Sequence, residues 1–172
     1  MKFFKAILIT VLLGIGVLLM IGVFVPEIDE EIEIQVNRPI ITVFASMLNT
    51  NDLTEWVDGL TKVEQTSGIL AMPGSTFKMY YQTKETETVY DMEILELKPM
   101  KSVKFRMFND MMDVLVSVQF KADGLATDIT VYTQVKGQGL PVKCMLPLMK
   151  SVIMDQIEQD FENFKTLQET DS

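Results

Sequence analysis

The order of apolar and polar positions along the chain divides it into three parts. The first part, residues 6–25 (AILITVLLGIGVLLMIGVFV), is almost uniformly apolar and carries no charge. At about 1.5 Å per helical residue it would extend roughly 30 Å, the thickness of the hydrocarbon core of a bilayer. The run is longer than the apolar region of a cleaved secretory signal, and it lacks a small-x-small cleavage pattern. The pattern therefore predicts one N-terminal transmembrane helix, an uncleaved signal anchor, over residues 1–25.

The charges on either side of this segment predict its orientation. Lys2 and Lys5 precede it, and a run of acidic residues follows it. Cationic flanks tend to stay on the cytoplasmic side of a membrane. We therefore expect a single-pass membrane protein with a cytoplasmic amino terminus and an extracytoplasmic domain, on the periplasmic or cell-surface side. Residues 26–30 are predicted to be a linker, and residues 31–172 the folded domain.

In the second part, apolar and polar residues alternate as they do in half-buried strands. EIEIQV (31–36) predicts a first strand. A helix capped by Asn37, with Pro39 in its first turn and an apolar stripe from Ile40 to Leu48, is then expected. A short helical turn that carries Trp56 and ends at Gly59 follows it. From residue 61 onward the alternation returns and predicts six further strands, joined by short turns such as Asp123-Gly124. These strands are expected to form an antiparallel meander with one face in water.

The third part, from about residue 144 onward, has helical periodicity. Its apolar stripe consists of Met145, Met149, Ile153, Ile157, Phe161 and Phe164. Proline is tolerated only near the start of a helix, so the helix is predicted to begin between Cys144 and Pro147. A sheet with one apolar face needs an apolar cover, and this stripe supplies it. The predicted fold is therefore α+β, with a curved antiparallel sheet of about seven strands wrapped around a long C-terminal helix.

The amino-acid composition limits the kinds of partner, catalytic group and metal site that the protein can have. The chain has a net charge of −9, no histidine and one cysteine, Cys144. An acidic surface disfavours nucleic acid and anionic headgroups as partners. The missing histidines exclude Ser-His-Asp and Cys-His catalysis and histidine-ligated metals, and a single thiol forms neither an internal disulfide nor a thiol metal cluster. No catalytic residue, cofactor or metal site is predicted.

Several segments together resemble the START-like helix-grip superfamily (SRPBCC), in particular its polyketide cyclase/dehydrase and lipid-transport branch. They are IEIQVNRP with the helix and Trp56 turn that follow, VEQTSG, MPGSTFKM, LELKPMKSVKFRM, GLATDITVYTQVKG and DQIEQDFENFKTLQE. The likeness covers residues 30–168. It implies a cavity between sheet and last helix, open at one end, that takes a lipid, sterol, polyketide or similar apolar molecule. The membrane anchor is a departure from most soluble relatives.

The resemblance implies that Trp56 lies at the cavity mouth, where it either contacts the ligand or packs in the core. The rest of the predicted cavity wall comes from inward positions of strands and last helix: Met79, Tyr81, Tyr90, Met92, Phe105, Met107, Met149 and Ile153. Methionine suits a wall that adapts to varied apolar guests, although a core simply filled with methionine is the alternative. Tyr81 and Tyr90 are the predicted polar handles. Glu96 is the one inward carboxylate that the alternation predicts.

Three functions remain open at this point. The residues favour a membrane-tethered domain that binds an apolar small molecule or lipid as a carrier or sensor. The alternatives are a cyclase or dehydrase that uses the same cavity, which the lack of a catalytic constellation disfavours, and a ligand-free interaction module. A continuous void of a few hundred Å³ favours the binder, carboxylates or hydroxyls deep in the pocket favour the enzyme, and the lack of a void favours the module.

Overall fold

A seven-stranded antiparallel sheet organises the protein in the computed structural model, which describes residues 2–24, 27–83 and 86–170. The strands are β1 (Glu27–Val36), β2 (Leu60–Ser67), β3 (Thr76–Gln82), β4 (Glu87–Lys98), β5 (Ser102–Phe108), β6 (Met112–Asp123) and β7 (Ala126–Gly137). The helices are α1 (Lys2–Phe24), α2 (Ile40–Met47), α3 (Leu53–Trp56) and α4 (Gly139–Thr170). The α+β class and the sheet with a long C-terminal helix are confirmed.

The strand order is β1-β7-β6-β5-β4-β3-β2, so each strand from β2 to β7 pairs with the next and β1 pairs with β7. Short connections make this meander possible. At the β6–β7 turn, Gly124 has φ +62°, a left-handed conformation that glycine adopts without steric cost. The antiparallel meander predicted from the alternation is therefore confirmed.

The register brings inward side chains of neighbouring strands opposite each other. Met79 of β3 pairs with Tyr90 of β4, and Met92 of β4 pairs with Met107 of β5. Because side chains alternate between the two faces of a strand, the residues two positions away continue the same rows. One face of the sheet is therefore a continuous apolar surface.

The carboxyl-terminal half of α4 packs against this surface. Phe161 and Phe164 are buried in the same cluster as Val118 and Val131 of the sheet. The end of α4 is also fixed by hydrogen bonds to the chain between β1 and α2. Arg38 Nε donates to the carbonyl of Gln168 (2.7 Å). These contacts hold the last helix across the sheet.

The start of α4 differs from the prediction. The helix begins at Gly139, so Pro147 lies inside it. Proline cannot donate the helical hydrogen bond at its own position, but burial of the residues before it compensates. Leu146 packs with Ile28 and Val135 in a cluster of buried side chains. Met145, predicted on the buried stripe, is instead 57% exposed, because Leu146 takes the position next to the sheet.

The linker predicted over residues 26–30 is also corrected, since β1 begins at Glu27. Glu27 pairs with Lys136 of β7, and Ile28 pairs with Val135 and is only 3% exposed. Ile28 extends the alternation of Ile32 and Ile34 by two further steps, which places it on the inner face. Its burial explains why the strand starts earlier than the acidic run suggested.

The amino-terminal helix α1 contacts α4. Many of its large apolar side chains are exposed, among them Phe3, Phe4, Ile7 and Leu12. Among residues 2–24, 27–83 and 86–170, no helix meets the combination of length and apolarity needed to cross a membrane. The predicted transmembrane helix is therefore not supported by the described residues, and Val25, the end of the predicted span, lies outside them.

Candidate functional site: an apolar cavity under α4

An apolar cavity of about 530 Å³ lies between the curved sheet and α4. Its floor is formed by the inner faces of β3 to β7, and its other walls by α3, α4 and the β2–β3 connection. The sheet leaves room here because α4 packs closely near Leu146 and again at Phe161 and Phe164, while Met149 and Ile153, between these contacts, line the cavity. A volume of this size is typical of sites that take a drug-sized or lipid-like molecule.

All nine residues of the predicted site lie around this cavity. They are Trp56, Met79, Tyr81, Tyr90, Met92, Phe105, Met107, Met149 and Ile153. The strand residues reach it because they occupy alternate positions on one face, and Met149 and Ile153 because they lie one helical turn apart. Their placement follows the alternation and the helical period, while their contact with a ligand stays a prediction.

Trp56 connects the cavity to the closed part of the core. Its side chain is 6% exposed, and its ring centroid lies 5.7 Å from that of Phe161 and 5.1 Å from that of Phe164. Trp56 therefore packs on α4 and also lines the cavity, while its contact with a ligand stays a prediction. Within the part of the chain that the structure describes, its indole Nε1 is the one buried side-chain polar atom without a hydrogen-bond partner.

Tyr81 and Tyr90 form an edge-to-face pair on the cavity wall, with ring centroids 5.6 Å apart. Burial raises the pKa of the Tyr81 hydroxyl strongly, and the negative charge of Asp160 adds to the effect. Burial also raises the pKa of Tyr90, against a hydrogen bond with Asn109 that lowers it. Both phenols therefore remain protonated across the physiological range, as neutral groups that donate and accept hydrogen bonds.

Glu96, predicted to face inward, lies on the outer side of β4. The register passes from Ile94 opposite Phe105 to Glu96 opposite Lys104, so Leu95 is an extra residue in a β-bulge. A bulge reverses the alternation beyond it. Glu96 consequently forms an ion pair with Lys98 in water, and that pair lowers its pKa.

The carboxylate at the cavity is Asp160 of α4, which the sequence reasoning missed. Its Oδ1 accepts hydrogen bonds from the Asp58 backbone N–H (2.9 Å) and from Gln156 Nε2 (3.0 Å). Burial nevertheless raises its pKa to about 6, against these two hydrogen bonds. Helical spacing contained the signal, because Asp160 lies three residues after Ile157 and four before Phe164, on the stripe itself.

Four threonines and Gln156 add further polar groups to the cavity lining. The threonines are Thr50, Thr83, Thr88 and Thr133. Each offers a hydroxyl that both donates and accepts a hydrogen bond. In the described ranges, no group of three or more His, Cys, Asp or Glu residues is arranged to hold a metal ion.

Two elements that contribute to the cavity wall also carry exposed apolar side chains. Ile69, Leu70 and Met72 belong to the β2–β3 connection, and Leu148 and Val152 belong to α4. Leu70 and Val152 also line the cavity. Both elements thus present apolar surface to the solvent as well as to the cavity.

A curved antiparallel sheet closed by a long C-terminal helix, with an apolar cavity between them, defines the START-like helix-grip superfamily, and the chain is a member of it. More narrowly, the chain belongs to the family described as Activator of Hsp90 ATPase homolog 1-like protein, whose sequence profile matches residues 37–159. Among curated proteins, none matches the chain.

Solved structures show the same fold at low sequence identity. Ara h 8.0201 is 12% identical with a TM-score of 0.70, over 84% of this chain and 99% of that one. The ZhuI aromatase/cyclase from Streptomyces sp. R1128 is 11% identical with a TM-score of 0.69, over 83% and 94%. The major latex-like protein 151 from Panax ginseng is 12% identical with a TM-score of 0.64, over 83% and 98%. At these identities the likeness concerns the fold alone.

Proposed function

We propose that this protein binds an apolar small molecule or lipid in the cavity between the sheet and α4, as a carrier or sensor. The observation that carries the proposal is the cavity itself, a void of about 530 Å³ with an almost wholly apolar wall. A core filled by its own side chains would not leave such a space, because protein interiors are close-packed. The void therefore argues against a ligand-free interaction module.

The wall suits guests of varied shape. Four of the predicted wall residues are methionines, Met79, Met92, Met107 and Met149. Unbranched thioether side chains change rotamer at little cost and make favourable contacts with many apolar surfaces. We therefore expect a range of apolar ligands to bind, with selectivity coming from the few polar groups.

The test is to purify the full chain under native conditions, identify co-purified molecules by mass spectrometry, and titrate a neutral apolar fluorophore. Met107→Trp should fill part of the cavity and reduce binding of the probe, because added volume in a packed wall is poorly tolerated. Leu115→Trp is the matched control, since Leu115 lies on the outer face of the neighbouring strand β6. Equal binding by both variants, or no binding by the wild-type chain, would refute the proposal.

A second candidate function is catalysis in the same cavity, of the cyclase or dehydrase type. The observation that favours it is Asp160, a partly buried carboxyl whose pKa is raised to about 6. A carboxyl with a pKa near neutrality can both accept and release a proton at physiological pH. The names of two similar structures, the ZhuI aromatase/cyclase and the di-domain ARO/CYC StfQ, point to the same class of reaction. Chemical change of a bound polyketide analogue that Asp160→Asn abolishes would establish this function over simple binding.

We propose further that α1 attaches the domain to a membrane, with the amino terminus in the cytoplasm and the domain outside. The exposed apolar side chains of α1 support attachment, and Lys2 and Lys5 support the orientation. Attachment is tested by alkaline carbonate washing of membranes, with Leu12→Arg as the variant expected to release the chain. Orientation is tested with a reporter fused after Ser172. A wild-type chain that washes off, or a reporter active only in the cytoplasm, would contradict these proposals.

A further inference from the structure

The cavity lining contains a negatively charged group and no positively charged one. Among the described residues that line it, Asp160 is the one with a charged side chain, and none carries a positive charge. A ligand carboxylate or phosphate that enters this space would lose water without gaining a cationic partner, and it would be repelled by Asp160. The lining therefore disfavours fatty acids and other anionic amphiphiles.

Two residues that line the cavity, Trp56 and Asp160, have hydrogen-bonding capacity that the contacts within the protein do not use. The indole Nε1 of Trp56 is a buried donor without a partner. Both hydrogen bonds that Asp160 accepts end on Oδ1, which leaves Oδ2 as an acceptor. A buried polar group without a partner is costly in a native protein, and a bound ligand is one way in which it is satisfied.

The fold places Trp56 and Asp160 close to each other, where the end of α3 meets α4. Asp58, two residues after Trp56, donates its backbone N–H to Asp160 Oδ1 at 2.9 Å. Asn163, one turn further along α4, donates to the carbonyl of Trp56 at 3.2 Å. The ring of Trp56 also packs on Phe161, the residue after Asp160. These contacts hold α3 and α4 together at the residues that carry the unused donor, Trp56, and the unused acceptor, Asp160.

We propose that this part of the cavity lining recognises the hydroxyl group of an uncharged apolar ligand, with Trp56 Nε1 donating to the hydroxyl oxygen and the hydroxyl proton donated to Asp160. A hydroxyl supplies both missing partners from a single oxygen atom. The inference rests on the proposed function, and it adds the chemical class of the ligand, an apolar alcohol or phenol rather than an apolar acid. The hydrocarbon part of the ligand then lies against the methionines and aromatic rings of the sheet.

The test compares two ligands that differ only in their head group, dodecan-1-ol and dodecanoate, as competitors of N-phenyl-1-naphthylamine, a neutral fluorescent probe, on the full chain. At about pH 8 both Asp160 and the fatty acid are ionised. We expect the alcohol to bind about tenfold or more tightly than the acid, since one charge-assisted hydrogen bond is gained and one repulsion avoided. The free concentration of each ligand is measured, so that its partitioning into detergent does not enter the comparison.

Asp160→Asn keeps the size of the side chain and removes its charge, so it should raise the affinity for dodecanoate and reduce the preference to about threefold or less. Trp56→Phe keeps an aromatic ring and removes the donor, so it should weaken binding of the alcohol more than binding of the probe. Glu158→Gln is the matched control, because Glu158 is an exposed acid two residues away on the same helix. It should leave all affinities unchanged.

The outcomes separate this inference from the proposed function. Equal affinities for the two ligands, tighter binding of the acid, or an unchanged preference in Asp160→Asn would overturn the inference, while binding of the neutral probe would preserve the proposed function. Failure of the probe to bind at all would overturn both. If Trp56→Phe disturbs folding, Asp160→Asn alone decides the question.

Discussion

Replacing Asp160 with asparagine should stabilise the folded protein at neutral pH. The pKa of this carboxyl rises from an ordinary value of 3.8 to about 6, chiefly because burial disfavours the charged form. A difference of that size corresponds to about 3 kcal/mol between the two protonation states. Because the side chain is only partly buried, screening by solvent reduces the effect to about 1–2 kcal/mol. Asparagine keeps an oxygen for the Asp58 N–H, so most of the local geometry should survive.

Whether stability rises or falls with pH depends on whether the folded or the unfolded state binds the carboxyl proton of Asp160 more tightly. Between about pH 4 and pH 6 the folded state holds the proton that the unfolded state has released, so the contribution of Asp160 to stability falls as the pH rises. Above about pH 6 the full cost of the buried charge is present. The stability difference between Asp160→Asn and wild type should therefore grow from near zero at about pH 4 to its maximum above about pH 7.

Urea unfolding at a series of pH values measures this difference. The emission of Trp56, the only tryptophan in the chain, and far-ultraviolet circular dichroism report unfolding independently. Glu158→Gln controls for the loss of one negative charge from a protein with a net charge of −9. A difference that is constant with pH, or an asparagine variant less stable than wild type above about pH 7, would refute the assignment of a costly buried charge at this position.

Three further predictions follow from single contacts. Gly68→Ala should destabilise the fold by about 1–3 kcal/mol, since φ is +85° there and an added Cβ would lie 2.6 Å from Ser75 Cα; a denaturation midpoint equal to wild type would contradict it. Phe164→Ala should cost about 3–5 kcal/mol, because the ring is fully buried against Trp56; thermal unfolding measures the loss, and a small change would mean that the site collapses. Glu96→Gln should leave ligand affinity unchanged, since its side chain pairs with Lys98 outside the cavity; altered binding would place Glu96 at the site.

Much of the cavity wall could be predicted because it depends on two simple periods. Once Met79 and Met92 are placed on strands, alternation assigns them to the same face as Phe105, and the meander brings these strands side by side. Helical period likewise assigns Ile153 to the face of α4 that meets the sheet. Neither inference needs any knowledge of tertiary packing.

One error arose where an extra residue changes the alternation of inward and outward side chains. The extra residue Leu95 reverses the alternation of β4, and nothing in LELKP marks the bulge. Asp160 was missed for a different reason, because only the apolar residues of the helical stripe were considered as part of the cavity wall. Its environment depends on Asp58, which lies far away in the chain and supplies a backbone N–H. Such long-range partners are not visible in local patterns.

The thioethers in the cavity wall make the protein sensitive to oxidation. Conversion of methionine to its sulfoxide replaces an apolar surface with a strong dipole, and reductase enzymes can reverse the reaction. Met149 is the most exposed of the four wall methionines and lies on the helix side of the cavity, so peroxide should reach it first. Oxidation would then weaken the binding of apolar ligands in the cavity well before the sheet unfolds.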